Sequence, residues 1–294
     1  MKSSINVLCP AKINLYLDVR RKRPDGFHEI RTVMQAIDLY DALSIDEQGE
    51  SISVSCDLPA LPVDSRNLCW RAADEMRRHA RCGGGVRITL AKKIPVAAGL
   101  GGGSSDAAGV LRGLNELWGL DMPPAALEKI GARLGSDVPF FIRGGTALCT
   151  GRGDNVTVLE EAVSYPYVLV TPPIAVSTAG VYAALDPAVG EPPVGEDEFL
   201  NALASGDPVR LSGALYNRLE AGGGPQMREV ERLKRALRKH GALGACMSGS
   251  GPSVFGIAED RAAARRLAEA IRHELMDGTV VHCGVTDAGS YPSL

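Results

Sequence analysis

Residues 95–106 carry the residue types that bind a phosphate. The run reads Pro-Val-Ala-Ala-Gly-Leu-Gly-Gly-Gly-Ser-Ser-Asp, with glycine at 99, 101, 102 and 103. Because glycine has no Cβ, the backbone there can reach positive φ and approach a ligand closely. Ser104, Ser105 and Asp106 are helix-start residues that can cap free N–H groups, and apolar residues then recur at helical spacing through 118. Free N–H groups and the positive end of a helix dipole predict an anion site, with phosphate as the first candidate.

This glycine run differs from the two commonest phosphate loops. A P-loop places a Lys-Ser/Thr pair after its last glycine, whereas Gly103 is followed by Ser104, Ser105 and Asp106. The dinucleotide fingerprint needs a third glycine at the position that Ser104 occupies. A plain turn between a strand and a helix is the alternative, since glycine is commonest in such turns. The unbroken sequence of glycines, hydroxyls and helix favours the anion site.

Two further segments offer side chains for a reaction at such a phosphate. Residues 12–19 alternate between polar and apolar, which predicts a half-buried strand with Lys12 and Asn14 on its polar face. These two side chains suit an anionic ligand, although a solvated strand face explains them equally well. Asp137 precedes a strongly apolar run, where a carboxylate is costly to bury unless it is paired or used. It is either an Asx turn or cap, or a base that accepts a proton from an alcohol near a lysine.

Two glycine-containing turns complete the set of candidate residues. The segment Gly249-Ser250-Gly251-Pro252 is either a tight hairpin turn or a second anion-contacting loop that faces the first. His28 follows Phe27 after a glycine turn, so the pair is a platform for a flat ring, although a lone histidine is usually structural or exposed. No second histidine or cysteine stands at ligand spacing, so the sequence assigns no metal site.

Composition excludes several classes of function. The chain has 294 residues, enough for one large domain or two of moderate size. A net charge of −3 and a pI near 6.0 disfavour binding to nucleic acid or to an anionic membrane through bulk charge. The seven cysteines are scattered and odd in number, which disfavours a disulfide framework. With no signal segment and no membrane-spanning apolar run, we expect a reduced, cytoplasmic protein.

The elements that position these residues are expected to form two α+β domains, residues 1–160 and 161–294, with the ligand between them. An acidic, proline-rich surface segment is expected at 189–198. In the first half the pattern predicts strands at 12–19, 30–39, 43–55, 86–90, 140–142 and 146–149, and helices at 66–80, about 107–118 and 125–134. In the second half it predicts a strand at 167–170, a helix at 225–239, a strand–turn–strand at 245–255, a helix at 260–276 and a strand at 279–285.

Three segments in this order resemble the GHMP kinase superfamily, whose members phosphorylate small alcohols with ATP: Pro10–Asn14, Pro95–Asp106 and Ser248–Val254. Finer matches at Arg23–His28, Asn67, Leu134–Phe140 and Ser177–Tyr182 are those of members that act on a cytidine-diphosphate substrate. The resemblance implies the two-domain α+β fold of that superfamily, with an N-terminal domain like part of a ribosomal protein and a ferredoxin-like C-terminal domain. It also implies ATP as phosphoryl donor together with Mg²⁺.

The resemblance further implies roles for named residues. Asp137 would be the general base for the substrate hydroxyl, with Lys12 beside it to orient it and stabilise charge. The ATP phosphates would be cradled by the loop residues Pro95, Val96, Ala97, Ala98, Gly99, Leu100, Gly101, Gly102, Gly103, Ser104 and Ser105. Asn67 and Lys92 would lie near the adenine. The cytidine end would be held by Asn14, Phe27, His28 and Tyr182. The members that act on a cytidine-diphosphate substrate often carry tyrosine where Phe27 stands, so the ring face is kept and a hydroxyl is lost. Metal ligands stay unassigned, and contacts of Mg²⁺ with Ser105 or Asp137 stay open, because this ion often remains hydrated and phosphate-bound.

Other functions remain open on the sequence alone. One is another kinase of the superfamily, acting on homoserine, mevalonate or a sugar, for which Phe27, His28 and Tyr182 would have no shared purpose. A second is a non-catalytic relative that senses a nucleotide, which the presence of both Lys12 and Asp137 disfavours. An RNA-binding role is disfavoured by the acidic pI.

Overall fold

The computed structural model describes residues 3–80, 84–185, 191–222, 225–275, 278–287 and 289. The strands are β1 (Ser4–Lys22), β2 (His28–Glu47), β3 (Ile52–Cys56), β4 (Val86–Ala91), β5 (Thr146–Thr150), β6 (Asn155–Val158), β7 (Pro166–Thr171), β8 (Tyr216–Asn217), β9 (Gly244–Met247), β10 (Val254–Ile257) and β11 (Val280–Asp287). The helices are α1 (Leu68–Ala80), α2 (Gly102–Leu117), α3 (Pro124–Leu134), α4 (Val138–Arg143), α5 (Thr178–Ala183), α6 (Glu196–Ala204), α7 (Pro208–Ala214), α8 (Pro225–Lys239) and α9 (Arg261–Glu274), with a short 3-10 turn at Arg218–Ala221. This mixture of helices and largely antiparallel strands confirms the α+β class.

Two long antiparallel strands, β1 and β2, form the centre of the first half. Through β2 the strands connect in the order β3-β4-β2-β11-β7-β10-β9, and β1 pairs with β2 and β8 off this path. Strand β11 pairs with β2 at Thr286 and Asp287 and with β7 along Val280–Val285, so the end of the chain joins the two halves. Strand β11 and the short pairing of β1 with β8 therefore link the two predicted domains, and the boundary at residue 160 stays a prediction.

Helix α2 packs its apolar stripe against this central sheet. Ala107, Val110, Leu111, Leu114 and Leu117 are all buried at the three-to-four spacing expected from the sequence. They belong to one core cluster with residues of β1, β2 and β4. Because α2 is fixed along its length, the glycine run that leads into it is fixed at its C-terminal end.

Three sequence-based predictions of structure were wrong or incomplete. The strand at 12–19 was expected to be half-buried, but its apolar residues belong to two core clusters and Lys12, Asn14 and Asp18 are buried too. Residues 140–142 are not a strand but belong to α4, because Pro139 suits a helix start and a short, fully buried apolar run lacks a diagnostic period. The third predicted strand divides in two: residues 43–47 extend β2, and β3 begins at Ile52. The acidic segment at 189–198 lies partly outside the described residues, and its second part begins α6.

Candidate active site

A cleft of about 460 Å³ lies where the glycine run faces β1 and the turn at 248–251. It is lined by most of the predicted site residues: Lys12, Asn14, Asn67, Lys92, residues 95–104, Asp137 and Tyr182. Ser105, Phe27 and His28 are not among its lining residues. The structure therefore gathers residues from both halves of the chain, from Lys12 to Ser250, around one cavity.

The start of α2 is open to a ligand. Gly101 occupies the N-cap with φ 72° and ψ 13°, and it supplies no side-chain cap to the helix. The expectation that Ser104, Ser105 or Asp106 caps this helix was wrong, because all three lie inside its first turns. A helix that begins on glycine leaves backbone N–H groups for an anion to satisfy. The anion site predicted from the sequence is thus supported by a different local geometry.

The two glycine turns touch each other. A Cβ placed on Gly99, whose φ is +77°, would lie 2.1 Å from the carbonyl oxygen of Ser248, which no side chain could tolerate. The Ser248 hydroxyl donates a hydrogen bond of 2.9 Å to the Gly99 carbonyl. The second turn therefore faces the first, as expected from the sequence; its contact with an anion stays a prediction.

Lys12 is held beneath the glycine loop by three oxygen atoms. Its Nζ donates to Asn14 Oδ1 at 2.6 Å and to the Gly99 carbonyl at 2.9 Å, and it lies 3.8 Å from Asp137 Oδ2. Asn14 is oriented in turn by donating to Thr32 Oγ1 at 2.8 Å. Burial lowers the pKa of Lys12, and the charge of Asp137 opposes that shift. The ammonium is thus aimed at the cleft and sensitive to any charge that enters it.

Asp137 stands between α3 and α4 with its side chain 35 % exposed to the cleft. It occupies the N-cap position of α4 but makes no side-chain capping hydrogen bond. The Asx-turn or cap alternative considered from the sequence is therefore not what the structure shows. A carboxylate that is open to the cavity and next to a buried ammonium has the geometry of a general base.

A buried ion cluster lies behind the glycine loop, and sequence reasoning did not find it. Lys92 Nζ contacts Asp41 Oδ2 and lies 2.7 Å from Asp106 Oδ2. Asp41 also accepts a hydrogen bond from the Ile94 backbone N–H at 2.9 Å. Burial raises the pKa of Asp106 to about 7. Burial acts to lower the pKa of Lys92, but the two carboxylates outweigh it and the pKa is raised.

The two residues predicted near the adenine both line the cleft while serving the fold. The charge of Lys92 is paired with Asp41 and Asp106 in the ion cluster just described. The Asn67 amide donates to the Pro62 carbonyl at 2.7 Å and accepts from the Cys69 N–H at 2.8 Å, so it caps the start of α1. Their contact with an adenine stays a prediction.

The residues predicted to hold the substrate's base are only partly brought together. The rings of His28 and Tyr182 stack with centroids 5.2 Å apart and planes at 29°. Burial raises the pKa of Tyr182, and the charge of Asp137 adds to that rise. Phe27 is 49 % exposed and lies outside the lining of the cleft. Thr178, in the same helix as Tyr182, hydrogen-bonds Ser250 at 2.9 Å and so ties α5 to the second glycine turn.

Metal-ligating groups and membrane-spanning helices are both absent from the described residues. Groups of three or more His, Cys, Asp or Glu side chains that could hold a metal ion are absent among them. Across the same ranges, every helix is too short or too polar to cross a membrane.

Comparison with known proteins gives a consistent result over the whole chain. Residues 67–145 match the family described as GHMP kinases N terminal domain, and residues 199–277 match the one described as GHMP kinases C terminal. The 4-diphosphocytidyl-2-C-methyl-D-erythritol kinase of Exiguobacterium sibiricum is 46 % identical over 275 residues, which cover 92 % of this chain and 94 % of that protein. The enzyme of the same name from Symbiobacterium thermophilum is 45 % identical over 278 residues, with coverage of 94 % and 99 %.

Solved structures agree in fold. A crystal structure of 4-(cytidine 5'-diphospho)-2C-methyl-D-erythritol kinase superposes with a TM-score of 0.82 at 36 % identity, covering 97 % of this chain and 100 % of that one. A homoserine kinase from Cytophaga hutchinsonii superposes with a TM-score of 0.76 at 21 % identity, covering 98 % and 96 %, which shows a shared fold alone.

Proposed function

Because this chain belongs to the GHMP kinases, and within them to the 4-diphosphocytidyl-2-C-methyl-D-erythritol kinase family, we propose that it transfers the γ-phosphoryl group of ATP to the 2-hydroxyl of that diphosphocytidyl alcohol. The reaction is a step in the methylerythritol phosphate route to isoprenoid precursors. The observation that carries the proposal is the pairing of Lys12 Nζ with Asp137 Oδ2, 3.8 Å apart, in the lining of a cleft that the glycine loop also lines. The identity of the alcohol rests on the relatives.

The donor side of the reaction is supplied by the loop at 95–105 and the start of α2. Phosphoryl transfer requires positioning and neutralisation of charge more than covalent help from the protein. The N-terminus of α2 offers backbone N–H groups and the positive end of its dipole to the ATP phosphates. Lys12 adds a full positive charge beneath the loop, fixed by its bonds to Asn14 and Gly99.

The acceptor side is supplied by Asp137. Its carboxylate takes the proton of the substrate hydroxyl as that oxygen forms a bond to the γ-phosphorus, and the bond from phosphorus to the bridging oxygen of ADP breaks. Lys12 stabilises the carboxylate before transfer and the phosphoryl oxygens during it. Negative charge entering the cleft favours the protonated lysine, which offsets the effect of its burial on the pKa.

Mg²⁺ belongs to the proposal through the kinase class, and the residues present fit a phosphate-bound ion. Of the carboxylates that line the cleft, Asp106 is already bound by Lys92, whereas Asp137 is open. Ser105 Oγ is buried near the start of α2 and has no hydrogen-bond partner in the described part of the chain. One open carboxylate and one unused hydroxyl suit an ion that keeps most of its water and is held mainly by phosphate. When bound, such an ion neutralises charge on the phosphates.

The cytidine end of the substrate would lie beside Tyr182. His28 and Tyr182 stack directly on each other, which leaves no gap for a third ring between them. The base therefore packs against an outer face of this pair or replaces His28 on Tyr182. Asn14 also lines the cleft, although its amide already serves Lys12 and Thr32. We expect no nucleic-acid or membrane partner, and the cytoplasmic location stays a prediction.

A substrate panel tests the proposal. The purified chain is given ATP and Mg²⁺ with the diphosphocytidyl alcohol, mevalonate or homoserine, and the phosphorylated product is measured by mass spectrometry. We expect turnover of the diphosphocytidyl alcohol to be far faster than that of the other two. Equal or reversed rates would refute the substrate assignment, and no turnover of any alcohol would favour the non-catalytic alternative.

A further inference from the structure

We propose that Arg152 is a positioning residue for the acceptor side, which holds the Phe27 ring in place to stack on the substrate's base and ties that ring to the segment before Asp137. The proposal rests on the proposed function, because it concerns how the cytidine end is held. Arg152 is not among the residues that line the cleft, and no motif in the sequence singles it out.

The guanidinium of Arg152 is engaged on three sides. Its Cζ lies 5.2 Å from the centroid of the Phe27 ring, within the range of a cation–π contact. Its Nε donates to Asp154 Oδ2 at 2.7 Å, and its Nη2 donates to the Ala132 carbonyl near the end of α3. A planar fork can make all three contacts at once, which the single ammonium of a lysine cannot. Because Arg152 lies outside the lining of the cleft, it acts through Phe27 and not on the phosphates.

Phe27 is fixed at its backbone but exposed at its ring. The Arg23 N–H donates to the Phe27 carbonyl at 2.7 Å, and the Phe27 N–H donates to Asp25 Oδ1 at 3.1 Å. These hydrogen bonds fix the backbone position from which the Phe27 side chain extends. The ring itself is 49 % exposed, with Arg152 over one of its faces. One covered face leaves the opposite face for a flat, apolar partner, which is how an aromatic side chain takes a base.

The turn that carries Arg152 lies between the two parts of the acceptor site. The Ile30 N–H, in β2 and two residues after His28, donates to the Gly151 carbonyl at 2.8 Å. A Cβ on Gly153 would lie 3.2 Å from Ile30 Cδ1 and 3.9 Å from Ser136 Cβ, so this turn packs between β2 and the residue before Asp137. Arg152 therefore connects the end of α3, through its bond to the Ala132 carbonyl, to the Phe27 ring that is proposed to stack on the base.

Removal of the fork should weaken binding of the cytidine substrate selectively. In Arg152→Met we expect the KM for the diphosphocytidyl alcohol to rise about three- to tenfold, the loss of one partly exposed cation–π contact, while the KM for ATP stays unchanged. Arg152→Lys keeps the charge without the fork and should give a smaller rise. Arg133→Met is the matched control, because Arg133 lies at the same end of α3 and its 2.9 Å ion pair with Glu75 lies away from Phe27. We expect no change in either KM for that control.

A double-mutant cycle with Phe27→Leu separates positioning from general stability. If Arg152 acts through the Phe27 ring, Arg152→Met should change the KM of the alcohol by less than about twofold in the Phe27→Leu chain. The same three- to tenfold rise in both chains would overturn the inference, as would an equal rise in the KM for ATP. If Arg152→Met does not fold, Arg152→Lys replaces it in the cycle: a rise in the KM of the alcohol that is present with Phe27 and absent in the Phe27→Leu chain supports the inference, and an equal rise in both chains overturns it.

Failure of the inference is distinguishable from failure of the proposed function. A wild-type chain that does not phosphorylate the diphosphocytidyl alcohol refutes the function, and the inference falls with it. A wild-type chain that does so, with no coupling between Arg152 and Phe27, refutes the inference alone.

Discussion

Three glycines in and beside α2, at positions 101, 103 and 119, are expected to respond differently in stability when each is changed to alanine. Gly101, at the N-cap, has φ +72°, and an added Cβ would lie 2.7 Å from the ring of Phe141 and 3.3 Å from Lys12 Cε. Gly119, just past the other end, has φ +58° with nothing within 4 Å. Gly103 is inside the helix, and its added Cβ would meet only Leu68 Cδ1, at an ordinary 3.5 Å.

These environments set the sign and size of each change to alanine. Gly101→Ala carries a left-handed backbone cost of about 1–2 kcal/mol and an overpacking cost of about 1–3 kcal/mol, because Phe141 is fully buried and cannot move freely. The stiffer unfolded chain offsets less than about 1 kcal/mol of this, so we expect a net loss of about 2–4 kcal/mol. Gly119→Ala keeps only the backbone cost and should lose about 1 kcal/mol or less. Gly103→Ala should gain about 0.5–1 kcal/mol, as alanine replaces glycine in a helix.

The assay is urea unfolding followed by circular dichroism, with thermal melting as a second measurement. For a chain of this size, each kcal/mol corresponds to roughly 2 °C in Tm. The order of stability should therefore be Gly103→Ala, wild type, Gly119→Ala and Gly101→Ala. If Gly101→Ala is no worse than Gly119→Ala, the contact of the glycine loop with Phe141 is wrong. If Gly103→Ala is destabilising, the helix does not begin where the structure places it.

Three further predictions concern the site. Asp137→Asn should lower turnover by about a hundredfold or more with little change in ATP affinity measured by calorimetry; unchanged turnover would remove Asp137 from the mechanism. Burial raises the pKa of Asp106 to about 7, above its unfolded value, so the folded chain binds this proton more tightly and the stability it contributes is lost as pH rises from about 4 through 7. Asp106→Asn should flatten that part of the pH dependence of stability in unfolding curves. A loss of stability over this pH range as steep as that of the wild type would contradict the assignment. Tyr182→Leu should raise the KM for the diphosphocytidyl alcohol by about tenfold, as one stacking face is lost, with the KM for ATP unchanged; equal effects on both would show that α5 supports the cleft only structurally.

Local signals in the sequence predicted the chemistry of the site better than its shape. The glycine run, Lys12 and Asp137 are each distinctive because of their immediate neighbours, and the structure does bring all three to one cleft. The period of the apolar residues was enough to predict α2, α3, α8 and α9 within a few residues. Such signals depend on contacts near in sequence, which a single chain displays directly.

The wrong predictions concern residues whose structure and burial depend on contacts with residues distant in the sequence. Phe140 and Phe141 are both fully buried, so their run shows no alternation between an inner and an outer face, and helix and strand look alike. The strand at 12–19 was predicted to be half-buried, but Lys12 and Asn14 on its polar face are buried as well, beside Gly99 and Gly249 of the two glycine turns. The partners of Lys92 are Asp41 and Asp106, 51 and 14 positions away, and no spacing rule links them.

The contact between the two glycine turns explains why site and fold cannot be separated in this chain. Gly99 and Ser248 are 149 positions apart, yet the Ser248 hydroxyl bonds the same Gly99 carbonyl that Lys12 Nζ contacts. A shift of the second turn would therefore move the phosphate loop and the lysine together. Because each partner of that carbonyl comes from a different element, the position of the loop is set by the assembled molecule and not by the glycine run alone. The glycines permit the close approach, and the second half of the chain determines where it occurs.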